Sequence, residues 1–275
     1  MLKSLLKRFN DHRLIDLGAQ CAYFLLLSIF PFLIFIISLL HFLPFTFTDV
    51  YQLLEETFVP ADVLDVIQNQ WNILKENHRT GLLSLGLIFT LWTASLALDS
   101  ILRALNLSYH ISENRGFLLA RLVSIFLTVG MFLVIIVALS LQVIGAHIES
   151  TFNLNLLILE LEILRWAVSS IVIFAVFLLL YLVGPNLRLT LKKVYIGAIF
   201  ATIGWQLTSY AFHFYLTNFA NYSATYGTIG TVIALMVWFH ISSLIILIGG
   251  EINAILYEEM PSQRGKTKKG VKKGV

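Results

Sequence analysis

Residues 226–257 read YGTIGTVIALMVWFHISSLIILIGGEINAILY, an apolar run that carries polar residues lipid would penalise, Glu251 above all. As a helix rising about 1.5 Å per residue, the run exceeds the roughly 30 Å hydrocarbon core of a bilayer and leaves room for tilt or for one end outside it. His240, Ser243, Leu247 and Glu251 fall on one side, because eleven residues at 100° each return Glu251 to within about 20° of His240. Gly249 and Gly250 permit either close packing or a local break in the helix, and Asn253 points elsewhere, placed to hydrogen-bond a neighbouring helix.

The rest of the chain has the same character. With 58% hydrophobic and 13% charged residues and a mean hydropathy of +0.83, its 275 residues have too little polar surface to coat a water-soluble globule. Apolar runs of spanning length recur at about 20–43, 81–102, 118–145, 164–183, 194–216 and 228–250. The expectation is an all-α, polytopic membrane bundle of six transmembrane helices, with residues 1–16 a cytosolic amphipathic segment, 17–258 the membrane domain and 259–275 a disordered basic tail.

Basic residues set the orientation. With both termini cytosolic, only Lys75, Arg79 and Arg165 of the 19 Lys and Arg fall outside, so the net charge of +3 is a topology signal first. The first apolar run is longer than a signal-peptide core and lacks a clear cleavage site, so it is expected to stay attached as an anchor.

Along the chain, Leu2, Leu5, Leu6 and Phe9 share a face ringed by Lys3, Lys7 and Arg8, which suits either a helix lying on an anionic leaflet or a frayed basic terminus. Pro31 predicts a kink in the first span, and lone Cys21 reads as a packing residue. The outer loop at 44–80 carries helical spacing at Val63, Ile67, Trp71 and Leu74, and reads as amphipathic helices resting on the bundle or as a lid.

Asp99 and Arg103 stand four apart near the cytosolic end of the second span, as a site or as a structural ion pair; Arg115 and Arg121 follow at the same face, where snorkelling accounts for them. In the fifth span Gln206, Ser209, Tyr210 and His213 draw a polar stripe, open between interhelical bonding and a solute path. Gly197, Ala201 and Gly204 form a stripe of small residues beside it. Asp99, Arg103 and Glu251 are expected to form one inner-face cluster, with Gln206, Tyr210, His213, Ser243 and His240 lining a route above it.

Chemistry of other kinds finds no foothold. The seven histidines include no HExxH, and there is no GxSxG, P-loop or dinucleotide fingerprint, so the expectation is a non-enzyme without metal or cofactor. Expected partners are membrane lipids, with anionic headgroups at the basic termini, and a transported substrate that the sequence does not name. A homo-oligomer is compatible with the sequence, and nothing calls for nucleic acid.

From LWTASLALDSILRALNLSY (91–109) to GGEIN (249–253) the arrangement resembles the YihY family of bacterial inner-membrane proteins, also called the BrkB family. RALN in the second span, Gly184-Pro185 after the fourth, Tyr226-Gly227 entering the sixth and GGEIN carry the likeness, which covers about Arg13 to Glu258. Members often read GAE where this chain has Gly249, Gly250 and Glu251. The resemblance implies a six-helix inner-membrane protein with suggested roles in moving lipids or solutes, and supplies no established catalytic residues. Some members have been labelled ribonuclease BN, an activity for which this chain offers no metal-ligand set. A scaffold or partner subunit without intrinsic flux is the competing expectation.

Overall fold

Each of the six apolar runs is helical where the computed structural model describes it, at residues 1–40, 68, 80–111, 116, 118–131, 158–219 and 228–259. The helices are α1 (Leu2–Asp11), α2 (Leu14–Leu40), α3 (Thr80–Ser108), α4 (Leu118–Met131), α5 (Ile158–Val183), α6 (Leu191–Phe219) and α7 (Thr228–Glu259). The predicted outer-loop helices and the basic tail lie outside the described residues, apart from 68, Thr80 and Glu259. By length and composition, Trp166–Val183 and Val232–Glu259 are able to cross a membrane, while Leu14–Ile29 and Leu118–Met131 are shorter apolar stretches among the described residues.

The final helix is the hub. α7 packs against α6, α2, α3 and α1; α2 and α3 lie along each other, and α5 closes against α6. Small residues allow the tightest of these approaches. Gly197 of α6 meets Gly249 of α7 backbone to backbone, so that a Cβ built on Gly249 would stand 2.8 Å from the Gly197 carbonyl oxygen. Of the two readings open for Gly249 and Gly250, the structure takes close packing, since α7 runs unbroken through both. Asn253 bonds a neighbouring helix as expected, its Oδ1 accepting the Gly197 N–H at 2.7 Å.

Buried side chains such as Leu105, Tyr181, Val194, Ala198 and Leu247 fill the space between these helices. The outward faces are apolar as well: Phe126, Ile171, Leu207 and Ile233 are all exposed, a surface suited to lipid rather than water. Tyr181 couples α5 to α7 by donating its hydroxyl to the Ile246 carbonyl at 2.6 Å. Tyr181→Phe should therefore lower stability by about 0.5–1.5 kcal/mol, measurable as a fall in the melting temperature of detergent-solubilised protein.

Helix ends near Glu251 are closed by residues other than glycine. α3 ends in a Schellman motif, with Ile111 N–H donating to Asn106 O and His110 N–H to Leu107 O, both at 2.9 Å, and His110 taking the left-handed position at φ 54°. Arg13, φ 51°, plays the corresponding part between α1 and α2. α5 stops at Gly184-Pro185-Asn186 as the sequence predicts, and the Asn186 N–H is held by Asn106 Oδ1 at 2.7 Å.

Candidate functional site

Glu251 is fully buried, and its carboxylate is met from two other elements. Ser108, the last residue of α3, donates its hydroxyl to Oε1 at 2.8 Å. α1 and its C-cap residue supply the rest: His12, the C-cap, shares a hydrogen bond of 2.5 Å between its Nδ1 and Oε1, and Arg8 Nη1 approaches Oε2 at 3.5 Å. Arg8 and His12 reach together because they stand four apart on one helical face.

Arg8 is the fastening point of α1. Its guanidinium also donates to the Ser108 carbonyl at 3.0 Å and to Glu258 Oε2 at 2.6 Å. His110 faces Glu258 at 3.6 Å and stacks edge-on with His12, ring centres 5.6 Å apart. The frayed-terminus reading of residues 1–16 is thus overturned: Leu2–Asp11 form a helix that is docked through Arg8, Phe9 and the C-cap His12, while Met1, Leu2 and Leu6 stay exposed.

Tyr109 and Tyr257 extend the cluster, ring centres 5.6 Å apart, with Lys193 of α6 lying 4.8 Å over the Tyr257 ring. Burial pushes the Tyr109 phenol up, and neighbouring Tyr257 and the Glu251 carboxylate push the same way. The arrangement is a buried carboxylate in contact with cations and a hydroxyl, at the end of the bundle where α1, α3, α6 and α7 meet. Among the described residues no group of three His, Cys, Asp or Glu side chains could hold a metal ion.

The single cluster expected of Asp99, Arg103 and Glu251 separates into two. Asp99 pairs with Arg103 at 3.2 Å, the guanidinium more than half exposed and also reaching Ser100 Oγ at 3.3 Å. The reason is azimuth: nine residues at 100° put Asp99 on the opposite side of α3 from Ser108, the residue that touches Glu251. An exposed pair of this kind contributes little, so Asp99→Asn should shift stability by no more than about 1 kcal/mol in a thermal melt. Arg121 also departs from the snorkelling expectation. It lies 4.3 Å over the Trp92 ring and donates to the Trp92 carbonyl at 3.0 Å, roughly 24 Å along α3 from Ser108.

The upper polar residues turn to different neighbours. Gln206 Nε2 donates to Ser170 Oγ of α5 at 2.7 Å, Ser209 Oγ accepts from the Trp238 indole of α7 at 3.3 Å, and Tyr210 is largely exposed. His213 is half-buried. On α7, Ser243 is buried with no hydrogen-bond partner for its hydroxyl among the described residues, and His240 is half-buried; the His240–Leu244 stretch faces Gly18 of α2. Sequence reasoning found Glu251 but missed Arg8, His12, Ser108 and Glu258; the only signal for the first two was their i,i+4 spacing.

Comparison with known proteins gives a consistent picture. The family model described as "Virulence factor BrkB" matches residues 5–273. "Putative ribonuclease-like protein YfkH" of Bacillus subtilis is 44% identical over 94% of this chain and 95% of its own length. "UPF0761 membrane protein VP0125" of Vibrio parahaemolyticus is 30% identical over 94% of this chain and 82% of its own. "UPF0761 membrane protein NTHI0384" of Haemophilus influenzae is 27% identical over 92% of this chain and 93% of its own. No solved structure matches significantly.

Proposed function

The chain belongs to the BrkB family, and from that premise we propose that it is a six-span protein of the bacterial inner membrane, both termini cytosolic, that moves a lipid or similar amphiphile without hydrolysing ATP. The observation that carries this reading is Glu251. A carboxylate wholly buried in an apolar helix is costly, and such residues commonly mark a solute or proton path. Further support comes from a groove of about 670 Å³ between α6 and α7, lined by Ala211, Phe212, Ile233, Val237, Trp238 and Ile241. Its volume is in the range of small-molecule sites and its lining suits an acyl chain.

In this reading His240 and Ser243 continue the path from the groove toward Glu251, and Gln206, Tyr210 and His213 border it on α6. Asp99 and Arg103 stand aside, since neither reaches Glu251. The test is scrambling or flipping of a fluorescent phospholipid in proteoliposomes. Glu251→Gln should cut the rate at least tenfold with folded protein retained, and an unchanged rate sinks the assignment.

A scaffold role is favoured by a different observation, the set of polar bonds that tie helices to one another: Asn253 to Gly197, Gln206 to Ser170 and Asn186 to Asn106. It expects no flux from the native protein and loss of folded protein in these variants. We assign no catalysis. Because YfkH bears a ribonuclease-like name, purified protein supplied with Mg²⁺ or Zn²⁺ should be tested on RNA, and cleavage that survives contaminant controls would refute that assignment.

A further inference from the structure

α3 turns a single strip of side chains outward. Phe89, Trp92, Leu96, Asp99, Arg103 and Leu107 follow one another at three- and four-residue steps, while Ser95, Leu98, Leu102 and Leu105 between them are buried. The strip is apolar except for one ion pair, and its large members Phe89, Trp92 and Leu107 are exposed. α4 adds Leu118, Leu122 and Phe126, exposed at four-residue steps, so the whole flank has the character of a lipid-facing surface.

Two guanidinium groups lie on this flank, and they are compensated differently. Arg103 carries its own counter-ion, Asp99 at 3.2 Å. Arg121 has none: among the described residues it meets the face of the Trp92 ring at 4.3 Å and the Trp92 carbonyl at 3.0 Å, but no carboxylate. Stacking uses the face of the guanidinium and one N–H takes the carbonyl, which leaves its other in-plane donors unused among the described residues. A cation without a counter-ion on an apolar surface is costly in lipid. The Trp92 ring holds that cation in place rather than neutralising it.

We propose that this flank is a binding site for an anionic phospholipid, with the Arg121 guanidinium taking the lipid phosphate and the exposed side chains of α3 and α4 taking the acyl chains. The planar, forked donor set fits two phosphate oxygens at once. Charge selects the lipid. Asp99 and Arg103 cancel, so the flank keeps the single positive charge of Arg121, which matches the net negative charge of phosphatidylglycerol and not the neutral sum of phosphatidylethanolamine. Trp92 stands roughly 24 Å along α3 from Ser108, whose neighbour Arg8, paired with Glu258, marks one polar end of the bundle. In a hydrocarbon core of roughly 30 Å, that brings Arg121 within a side chain's reach of the opposite headgroup layer.

None of these residues lines the α6–α7 groove or touches Glu251. Lipid binding here is therefore independent of the transport reading and is expected with or without flux. The test uses the full chain in neutral detergent, stripped of lipid and titrated with phosphatidylglycerol or phosphatidylethanolamine, with bound lipids counted by native mass spectrometry. The native protein should hold its tightest phosphatidylglycerol several-fold better than phosphatidylethanolamine. Arg121→Gln should weaken that lipid about tenfold with folded protein retained, and Arg103→Gln should leave it unchanged. Trp92→Leu keeps the charge and the apolar surface but takes away the seat of the guanidinium; its loss of about two- to fivefold carries the test if Arg121→Gln does not fold. Equal phosphatidylglycerol binding by the native protein and Arg121→Gln, or an equal loss in Arg103→Gln, overturns the proposal. Displacement of the lipid by an equal concentration of inorganic phosphate would mark a plain anion site and overturns it too.

Discussion

Glu251→Ala should destabilise the solubilised protein by about 3 kcal/mol or more, because breaking a buried ion pair strands the partner rather than merely removing an attraction. His12 would lose its partner at 2.5 Å, while Ser108 would lose the carboxylate at 2.8 Å and fall back on the Ala104 carbonyl at 3.0 Å. Arg8 would keep Glu258 and the Ser108 carbonyl, so its share of the loss is the smaller one. Glu251→Gln retains an acceptor for both donors and should cost clearly less. A melting series in detergent separates the two, and equal losses would show that the side chain's volume, not its hydrogen bonding, carries the effect. The same series offers a double-mutant cycle: Arg8→Met alone leaves the buried carboxylate short of its cation, so adding it to Glu251→Ala should cost less than the two singles together.

The fold was largely legible because its determinants are local. An apolar run of spanning length declares a helix by itself, the small-residue stripe at Gly197, Ala201 and Gly204 declares a close crossing, and Gly184-Pro185-Asn186 declares an end. Glu251 was legible for the same reason, as a carboxylate in a run that disfavours one. Its partners were not. Arg8 and His12 lie 243 and 239 positions away along the chain, and no periodicity connects α1 with α7. Asp99 was misplaced by a subtler route: depth along α3 can be counted from its span, but the side of the helix that meets α7 depends on packing. A half-turn separates Asp99 from Ser108, and that half-turn decides which of them touches Glu251. The reading of Arg8 as a headgroup contact failed because carboxylates on α7 compete for the same guanidinium.

Gly197→Val should prevent accumulation of folded protein altogether. A Cβ at this position would fall on the Gly249 carbonyl oxygen and on the Asn253 side chain, and the first of these is backbone that cannot rotate away. The cost should exceed the roughly 1–3 kcal/mol of ordinary overpacking, because relief requires α6 and α7 to separate along their contact. Separation would also break the 2.7 Å bond from Gly197 N–H to Asn253 Oδ1 and loosen the Tyr181 hydroxyl from Ile246. Gly130 on α4 is the control: a Cβ there meets nothing within 4 Å, so Gly130→Ala should be neutral or gain up to about 1 kcal/mol from helix propensity. Fluorescence-detected size exclusion of the two variants reads the contrast directly. The milder Gly197→Ala links packing to the site. Any fraction that still folds has been forced apart next to Gly249 and Gly250, the two residues before Glu251. A shift of that stretch relative to α3 lengthens the Ser108 bond, so flux should fall more steeply than folded abundance, whereas a purely structural crossing would lose the two in proportion.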